Sequence, residues 1–138
     1  MELEIPKRYK NKSVAQLLPI AQDWFNKMIR LRDKNKPCIS CGSWNTSDAS
    51  HFYSRGNYPG MRFVEDNVHL SCAKCNRFLH GNLLEYRRLL IRKIGIERVE
   101  KLEWMSISNR SKKWTRWELI VIILECQSKC KIYELSNN

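Results

Sequence analysis

Long hydrophobic runs are missing from this chain: none of its apolar stretches approaches the roughly 18 residues that a membrane-spanning helix needs. No segment reads as a secretory signal peptide either, so a soluble protein of the cytoplasm, without a membrane partner, is expected. Internal repeats and low-complexity tracts are absent as well, which sets aside solenoid and array architectures. Acidic residues are scarce, 14 against 25 Lys and Arg, and the net charge of +11 presents a positive field to any polyanion. Nucleic acid is the partner that such a surface favours.

What is present is a chain of 138 residues, the size of one domain with one modest core. Residues 1–12 are charged and aperiodic and read as an extended basic arm. Residues 13–34 read as an N-terminal helix, opened by the capping box Ser13 with Gln16 and striped by Leu17, Leu18, Ala21, Trp24, Phe25, Met28 and Leu31, although Pro19 allows a later start. From Pro37 to Gly60 turn formers dominate and predict a knuckle followed by a short β-hairpin. A helix from about Cys75 or Asn76 to Ile94 follows, with Leu79, Leu83, Tyr86, Leu90 and Ile94 inward and Gly95 at its end. Residues 37–95 thus form a core, and residues 96–138 supply C-terminal helices: a short one over 96–104, a basic connector, and a last helix opened by Thr115 with Glu118.

Six cysteines without an export signal are better read as metal ligands or buried thiols than as disulfides. Cys38 and Cys41 form one C-x-x-C pair, and Cys72 and Cys75 another, thirty residues on. Two such pairs suit a closed tetrahedral thiolate site for structural Zn²⁺, with Gly42 shaping the knuckle. Thioredoxin-like redox chemistry needs a βαβ setting that is lacking. Cys126 and Cys130, four apart on the last helix, have no further His or Cys to complete a site and are assigned to packing.

Around these pairs lie His51, Asn67, Asn76 and His80. Neutral imidazole can accept a proton from water at physiological pH, and a hard divalent ion such as Mg²⁺ or Mn²⁺ on oxygen ligands can polarise a phosphodiester. In order and approximate spacing these residues resemble the His-Asn-His (ββα-metal) nucleases, and Asn76 directly follows a cysteine as in the endonuclease VII branch. The resemblance implies an α+β, mainly helical fold: a treble-clef zinc and ββα-metal core with flanking helices. It implies His51 as general base, Asn67 as its orienter and Asn76 as a ligand of the catalytic ion. His80, one helical turn beyond Asn76, is a candidate second ligand. Ser50 stands where the superfamily commonly places an Asp or His ligand. Asp48 is the nearest carboxylate, but on a regular strand it faces away from His51, and His69 is held in reserve.

The likeness reaches further. Phe25-Asn-Lys-Met-Ile-Arg-Leu-Arg-Asp33, Cys38-Ile-Ser-Cys-Gly, Asp48-Ala-Ser-His-Phe, Arg62-Phe, Asp66-Asn-Val-His, Cys75-Asn, Gly81-Asn and Tyr86-Arg together resemble the NinG (Rap) recombination proteins of lambdoid phages over residues 20–104. That implies a structure-specific DNA endonuclease acting on branched intermediates such as Holliday junctions and D-loops, phage or prophage encoded, in the bacterial host cytosol. Arg55, Arg62, Lys74, Arg77, Arg87, Arg88, Arg92 and Lys93 are the candidate phosphate contacts, with Tyr53, Tyr58 and Phe63 to stack or wedge at a branch. The run Leu119 to Leu124 is a candidate homodimer seam. The rival from another class is a zinc-containing DNA-binding module without catalysis.

Overall fold

The computed structural model describes residues 4–136. The chain folds as two compact units, one of Ile29–Lys113 and one formed by the chain on either side of it. Secondary structure is mainly helical, with a single two-stranded sheet among the described residues. No described helix is long and apolar enough to cross a membrane.

Of the arm expected over residues 1–12, residues 1–3 lie outside the described residues, and Lys7–Lys10 form a helical turn, α1. Pro6 precedes this single turn, and Tyr9, only 4% exposed, supplies the burial that fixes it. Arg116 donates to the carbonyls of Lys12 and Tyr9 at 2.6 and 3.4 Å, and to that of Lys10, so a cation closes the C-terminal end of α1. α2 (Val14–Arg32) has the expected box: Gln16 N–H donates to Ser13 Oγ at 3.2 Å, and Ser13 N–H to Gln16 Oε1 at 2.9 Å. Pro19 lies inside this helix instead of delaying its start. α5 (Arg116–Ser136) begins at the second box, with Glu118 N–H on Thr115 Oγ1 at 3.2 Å and Thr115 N–H on Glu118 Oε1 at 3.1 Å. Leu119, Ile120 and Ile123 are buried, so these side chains are not available to a dimer seam. Cys126 and Cys130 are buried too, as packing residues should be.

In the central unit, β1 (Asp48–His51) pairs antiparallel with β2 (Val68–Ser71) in the register Asp48↔Ser71 to His51↔Val68, without a bulge. The second strand therefore comes after Gly60, and the strands are joined by a long loop containing two 3₁₀ turns, Pro59–Met61 and Glu65–Asn67, not by a tight hairpin. Turn chemistry in this loop is set by long-range packing: a Cβ on Gly60 would lie 2.4 Å from the Asn109 carbonyl oxygen, so only glycine lets the loop close there.

The helix expected from Cys75 to Ile94 is broken in two. A π-helical turn, Lys74–Phe78, comes first and α3 (Leu83–Ile94) follows. Between them His80, Gly81 and Asn82 take φ of 50, 91 and 51°, a left-handed run that no helix continues through. Leu79 and Leu83, expected inward, are therefore 44% and 46% exposed, while Tyr86 and Leu90 are fully buried. Gly95 (φ 90°) separates α3 from α4 (Ile96–Ser108), which runs one turn beyond its expected end and takes in part of the basic connector. Ile39, Met61, Tyr86, Leu90, Val99 and Leu102 make the core of this unit, each large side chain contributing roughly 2 kcal/mol by burial. Phe52, Tyr53 and Tyr58 are half-buried and pack against that core, which leaves the two tyrosines less free to wedge DNA.

A buried ionic cluster pins the sheet. Asp33, 1% exposed, accepts Leu70 N–H at 3.0 Å and pairs with Arg32 Nε at 2.9 Å and Lys93 Nζ at 3.0 Å. Although burial raises its pKa, Arg32, Lys93 and the Leu70 N–H hold the Asp33 carboxyl well below the usual range. His69, 2% exposed, donates from Nε2 to the Asp66 carbonyl at 2.9 Å and accepts at Nδ1 from Lys93 at 2.8 Å and Arg32 at 3.1 Å. Burial, then the charges of Lys93 and Arg32, push His69 down to about 3, so it is neutral here and not an ion-pair partner of Asp33. The reserve role of His69 as a ligand of a catalytic ion falls away, because both ring nitrogens are already committed.

Candidate metal centre and candidate active site

The four paired cysteines come together. Their sulfur atoms all lie within 4.8 Å of one another, and Cys41 Sγ is 3.7 Å from Cys72 Sγ. A tetrahedron with metal–sulfur bonds of about 2.3 Å has edges of about 3.8 Å, which matches this spacing. The first pair sits in a knuckle where Gly42 N–H donates to the Cys38 carbonyl at 2.9 Å and Gly42 takes φ +78°. The second pair straddles the entry to the π-helical turn, with Asn76 N–H on the Cys72 carbonyl at 3.1 Å. Backbone N–H groups of Ser40 and Cys75 point at Cys38 Sγ and Cys72 Sγ, each at 3.4 Å, the arrangement that favours thiolate. Without a cation, burial and then the neighbouring Cys72 and Cys41 push the Cys75 thiol up to about 12. The donor set, all sulfur and closed, fits Zn²⁺, which Cys38, Cys41, Cys72 and Cys75 would hold.

His51 ends β1 with a half-buried ring. Its Nε2 lies 3.0 Å from the Arg62 carbonyl oxygen, so Nε2 carries the proton and Nδ1 is left with the lone pair. Burial, followed by the charges of Arg55 and Arg62, pushes its pKa below 6.5 against the opposing carbonyl, which keeps the ring neutral. Asn67, fully buried, holds the loop beyond His51: its Nδ2 donates to the carbonyls of Tyr53 and Met61, both at 3.0 Å, and its Oδ1 accepts Tyr53 N–H at 2.9 Å. Phe52 N–H also donates to the Asn67 carbonyl at 2.8 Å. These bonds of Asn67 go to the main chain of Phe52, Tyr53 and Met61, while the His51 ring is held by the Arg62 carbonyl.

Asp48 and Asn76 meet, with Asn76 Nδ2 on Asp48 Oδ2 at 2.9 Å. Asp48 shares the inner face of β1 with Ser50 and faces away from His51, as a strand without a bulge requires. Ser50 Oγ is buried without a hydrogen-bond partner, so the position expected to hold a first-strand ligand is polar and unsatisfied. Arg77 forks onto Asp48, Nε to Oδ2 at 2.9 Å and Nη2 to Oδ1 at 3.1 Å. Although burial raises its pKa, Asn76, Arg77 and Ser47 hold the Asp48 carboxyl below its usual range. One carboxylate and one amide suit a hard cation that keeps most of its own water, provided that Arg77 lets go.

His80 does not join this group. It lies past the π-helical turn, exposed, in the left-handed segment, rather than one turn along a helix shared with Asn76. Among the basic residues, Arg55 and Lys74 are exposed, and Arg62 lies over the Phe63 ring at 5.5 Å. Arg87 is bound to Glu103 at 2.8 Å, and Arg88 to Glu85 at 2.5 Å, so both must exchange partners to meet a phosphate. Arg77 is the residue whose local role was missed: a basic residue after Asn76 reads as a phosphate contact, and only the fold reveals the carboxylate beneath it.

The fold and site define a small, basic α+β protein built around a four-cysteine metal-ligand cluster. Residues 4–136 match the family model described as Bacteriophage Lambda NinG protein, and the chain belongs to the NinG family of lambdoid phages. It is 42% identical over 113 residues to Protein ninG of Escherichia phage lambda, covering 80% of this chain and 54% of that protein. It is 40% identical over 113 residues to Protein ninG of Salmonella phage P22, again 80% and 54%. The chain thus spans about half the length of the curated relatives it matches. No solved structure matches it.

Proposed function

We propose that this protein is a metal-dependent DNA endonuclease of the His-Asn-His (endonuclease VII-like) class, cutting branched recombination intermediates such as Holliday junctions and D-loops. The carrying observation is the set of His51: Nε2 held on the Arg62 carbonyl, Nδ1 left as the basic nitrogen, and a pKa kept below 6.5 by burial. In this reading Nδ1 takes a proton from water as the oxygen attacks phosphorus and the bond to the leaving oxygen breaks. Asn67 steadies the loop beyond His51, and Arg55 and Arg62, whose charges reach His51, would draw in the phosphate. Asp48 and Asn76 would hold a Mg²⁺ or Mn²⁺ once Arg77 lets go, and the ion would supply charge neutralisation at the phosphoryl oxygens. Cys38, Cys41, Cys72 and Cys75 would hold Zn²⁺, which would brace a treble-clef frame at the turn that carries Asn76. His80 is left out of the ligand set.

A second reading is favoured by one observation. Arg77 satisfies both oxygens of Asp48, as it would in a zinc-containing DNA-binding module that has no catalytic ion. The two separate in a cleavage assay on a four-way junction and a linear duplex with Mg²⁺ or Mn²⁺. For the nuclease, His51→Ala lowers the rate by about 10² to 10⁴ while junction affinity and zinc content stay unchanged. Tight junction binding by the wild type with no cleavage in either metal ion establishes the binding module instead.

A further inference from the structure

The segment after the π-helical turn, Phe78-Leu-His-Gly-Asn-Leu-Leu84, carries four large apolar side chains in the open. Phe78 is 74% exposed, Leu79 44%, Leu83 46% and Leu84 88%. Single exposed leucines are ordinary, but four within seven residues make a patch that calls for a partner. The segment is held firmly. Gly81 N–H donates to the Cys75 carbonyl and Ser40 Oγ to the Gly81 carbonyl, each at 2.8 Å. Asn82 Nδ2 reaches Cys75 Sγ at 3.7 Å, and Asn82 N–H donates to the Leu79 carbonyl at 2.8 Å. The three left-handed residues therefore fold the apolar side chains outward on a base anchored to the cysteine cluster.

The surroundings of the patch select its partner. Lys74, Arg77, Arg87, Arg88, Arg92 and Lys93 lie in the same stretch of chain; Arg77 is paired with Asp48, Arg87 with Glu103, Arg88 with Glu85 and Lys93 with Asp33, so six cations meet four carboxylates. A second copy of the chain would bring the same cations against these and be repelled. An apolar tip in a stretch of chain with an excess of cations, exposed Lys74 and Arg77 preceding it, fits DNA, where bases offer apolar faces and phosphates flank them. Stacked duplex hides those faces; a branch point exposes them.

We propose that Phe78, Leu79, Leu83 and Leu84 form a wedge that enters between unstacked bases at a DNA branch point while Lys74 and Arg77 take the flanking phosphates. The wedge rests on the DNA reading above and takes the role first assigned to Tyr53, Tyr58 and Phe63, of which the two tyrosines are half-buried against the core.

The test is a four-way junction carrying 2-aminopurine at the branch, titrated without added divalent ion so that no cleavage intervenes. Wild-type protein is expected to raise the fluorescence as the probe unstacks. The double variant Phe78→Ser with Leu84→Ser alters exposed side chains only, and its zinc content and helical circular dichroism should match wild type. It is expected to abolish the rise and to reduce the preference for junction over duplex about tenfold, with duplex affinity held by the cations. An unchanged rise and preference overturn the wedge, as does failure of the wild type to bind either DNA. A shift from dimer to monomer in sedimentation of the variant also overturns it, because the patch is then a seam between copies. A protein that cleaves junctions with the wedge disproved leaves the nuclease reading standing; one that unstacks the probe yet never cleaves leaves the wedge standing without it.

Discussion

Asn67 binds the main chain of Tyr53 twice, accepting its N–H at Oδ1 and donating from Nδ2 to its carbonyl, so one side chain acts as a short strand for the loop beyond His51. The same Nδ2 also donates to the Met61 carbonyl. Asn67→Asp puts a carboxylate oxygen where two carbonyl oxygens converge, in a site with no exposure. A loss of stability of about 2 to 4 kcal/mol is expected at pH 7 by denaturant titration, with Asn67→Leu losing less, because it removes a partner without adding a charge. Equal stability of wild type and Asn67→Asp refutes this account of the loop.

Removing zinc should unfold the central unit. The knuckle and the π-helical turn meet through the four sulfurs, and burial pushes the Cys75 thiol up to about 12. Elemental analysis should find one zinc per chain, and a strong chelator should lower the melting temperature by more than 10 °C, since metal binding here is folding free energy. Cys75→Ser should do the same without chelator. A folded protein that contains no zinc contradicts the site.

The pH dependence of cleavage follows from the downward shift of His51. In the proposed nuclease neutral imidazole is the working form, and burial together with Arg55 and Arg62 lowers its pKa. The acid limb of the rate should therefore lie below pH 6.5, with full activity kept at pH values where an unperturbed histidine would be part-protonated. Replacing Arg55 by Gln removes one lowering charge and should move the limb upward. A limb at or above 6.5 in the wild type is the contrary result.

Stability should fall as acid is added, because of the Asp33 and His69 cluster. His69 takes up its proton near 6.5 when unfolded and near 3 when folded, so the unfolded chain binds more protons between those values. Its contribution is complete above about pH 6.5 and is lost as pH falls towards 3, at up to about 1.4 kcal/mol per pH unit. The lowered carboxyl of Asp33 adds a loss of the same sign only below its unfolded value of 3.8. His69→Gln should flatten the dependence between pH 6.5 and 4. Asp33→Ala should cost about 3 to 5 kcal/mol at pH 7, since it leaves Arg32 and Lys93 without their shared anion.

What could be read from the chain alone was what is written locally. The two capping boxes sit where Ser13 with Gln16 and Thr115 with Glu118 placed them, because each closes within four residues. The cysteine pairs were legible for the same reason, each gap being short enough for two sulfurs to share one ion. The helix across Cys75 to Ile94 was not, since its apolar period runs on unbroken while the hydrogen bonds to Gly81 and Asn82 come from Cys75 and Ser40. Local pattern favoured one helix, and tertiary attachment decided for two. The ties of His69 to Lys93 and of Arg77 to Asp48 were hidden for the same reason, the partners lying 24 and 29 residues away.

Of the four cluster sulfurs, those of Cys38, Cys72 and Cys75 belong to buried residues, and Cys41 alone belongs to an exposed one. Tightness and lability are therefore governed by different parts of the same cluster. The buried three determine how strongly an ion is held, while oxidants, competing thiols and softer metals can approach only along the Cys41 corner. Damage to this protein in air should begin as a single modified cysteine, with the ion held briefly on three ligands before it is lost.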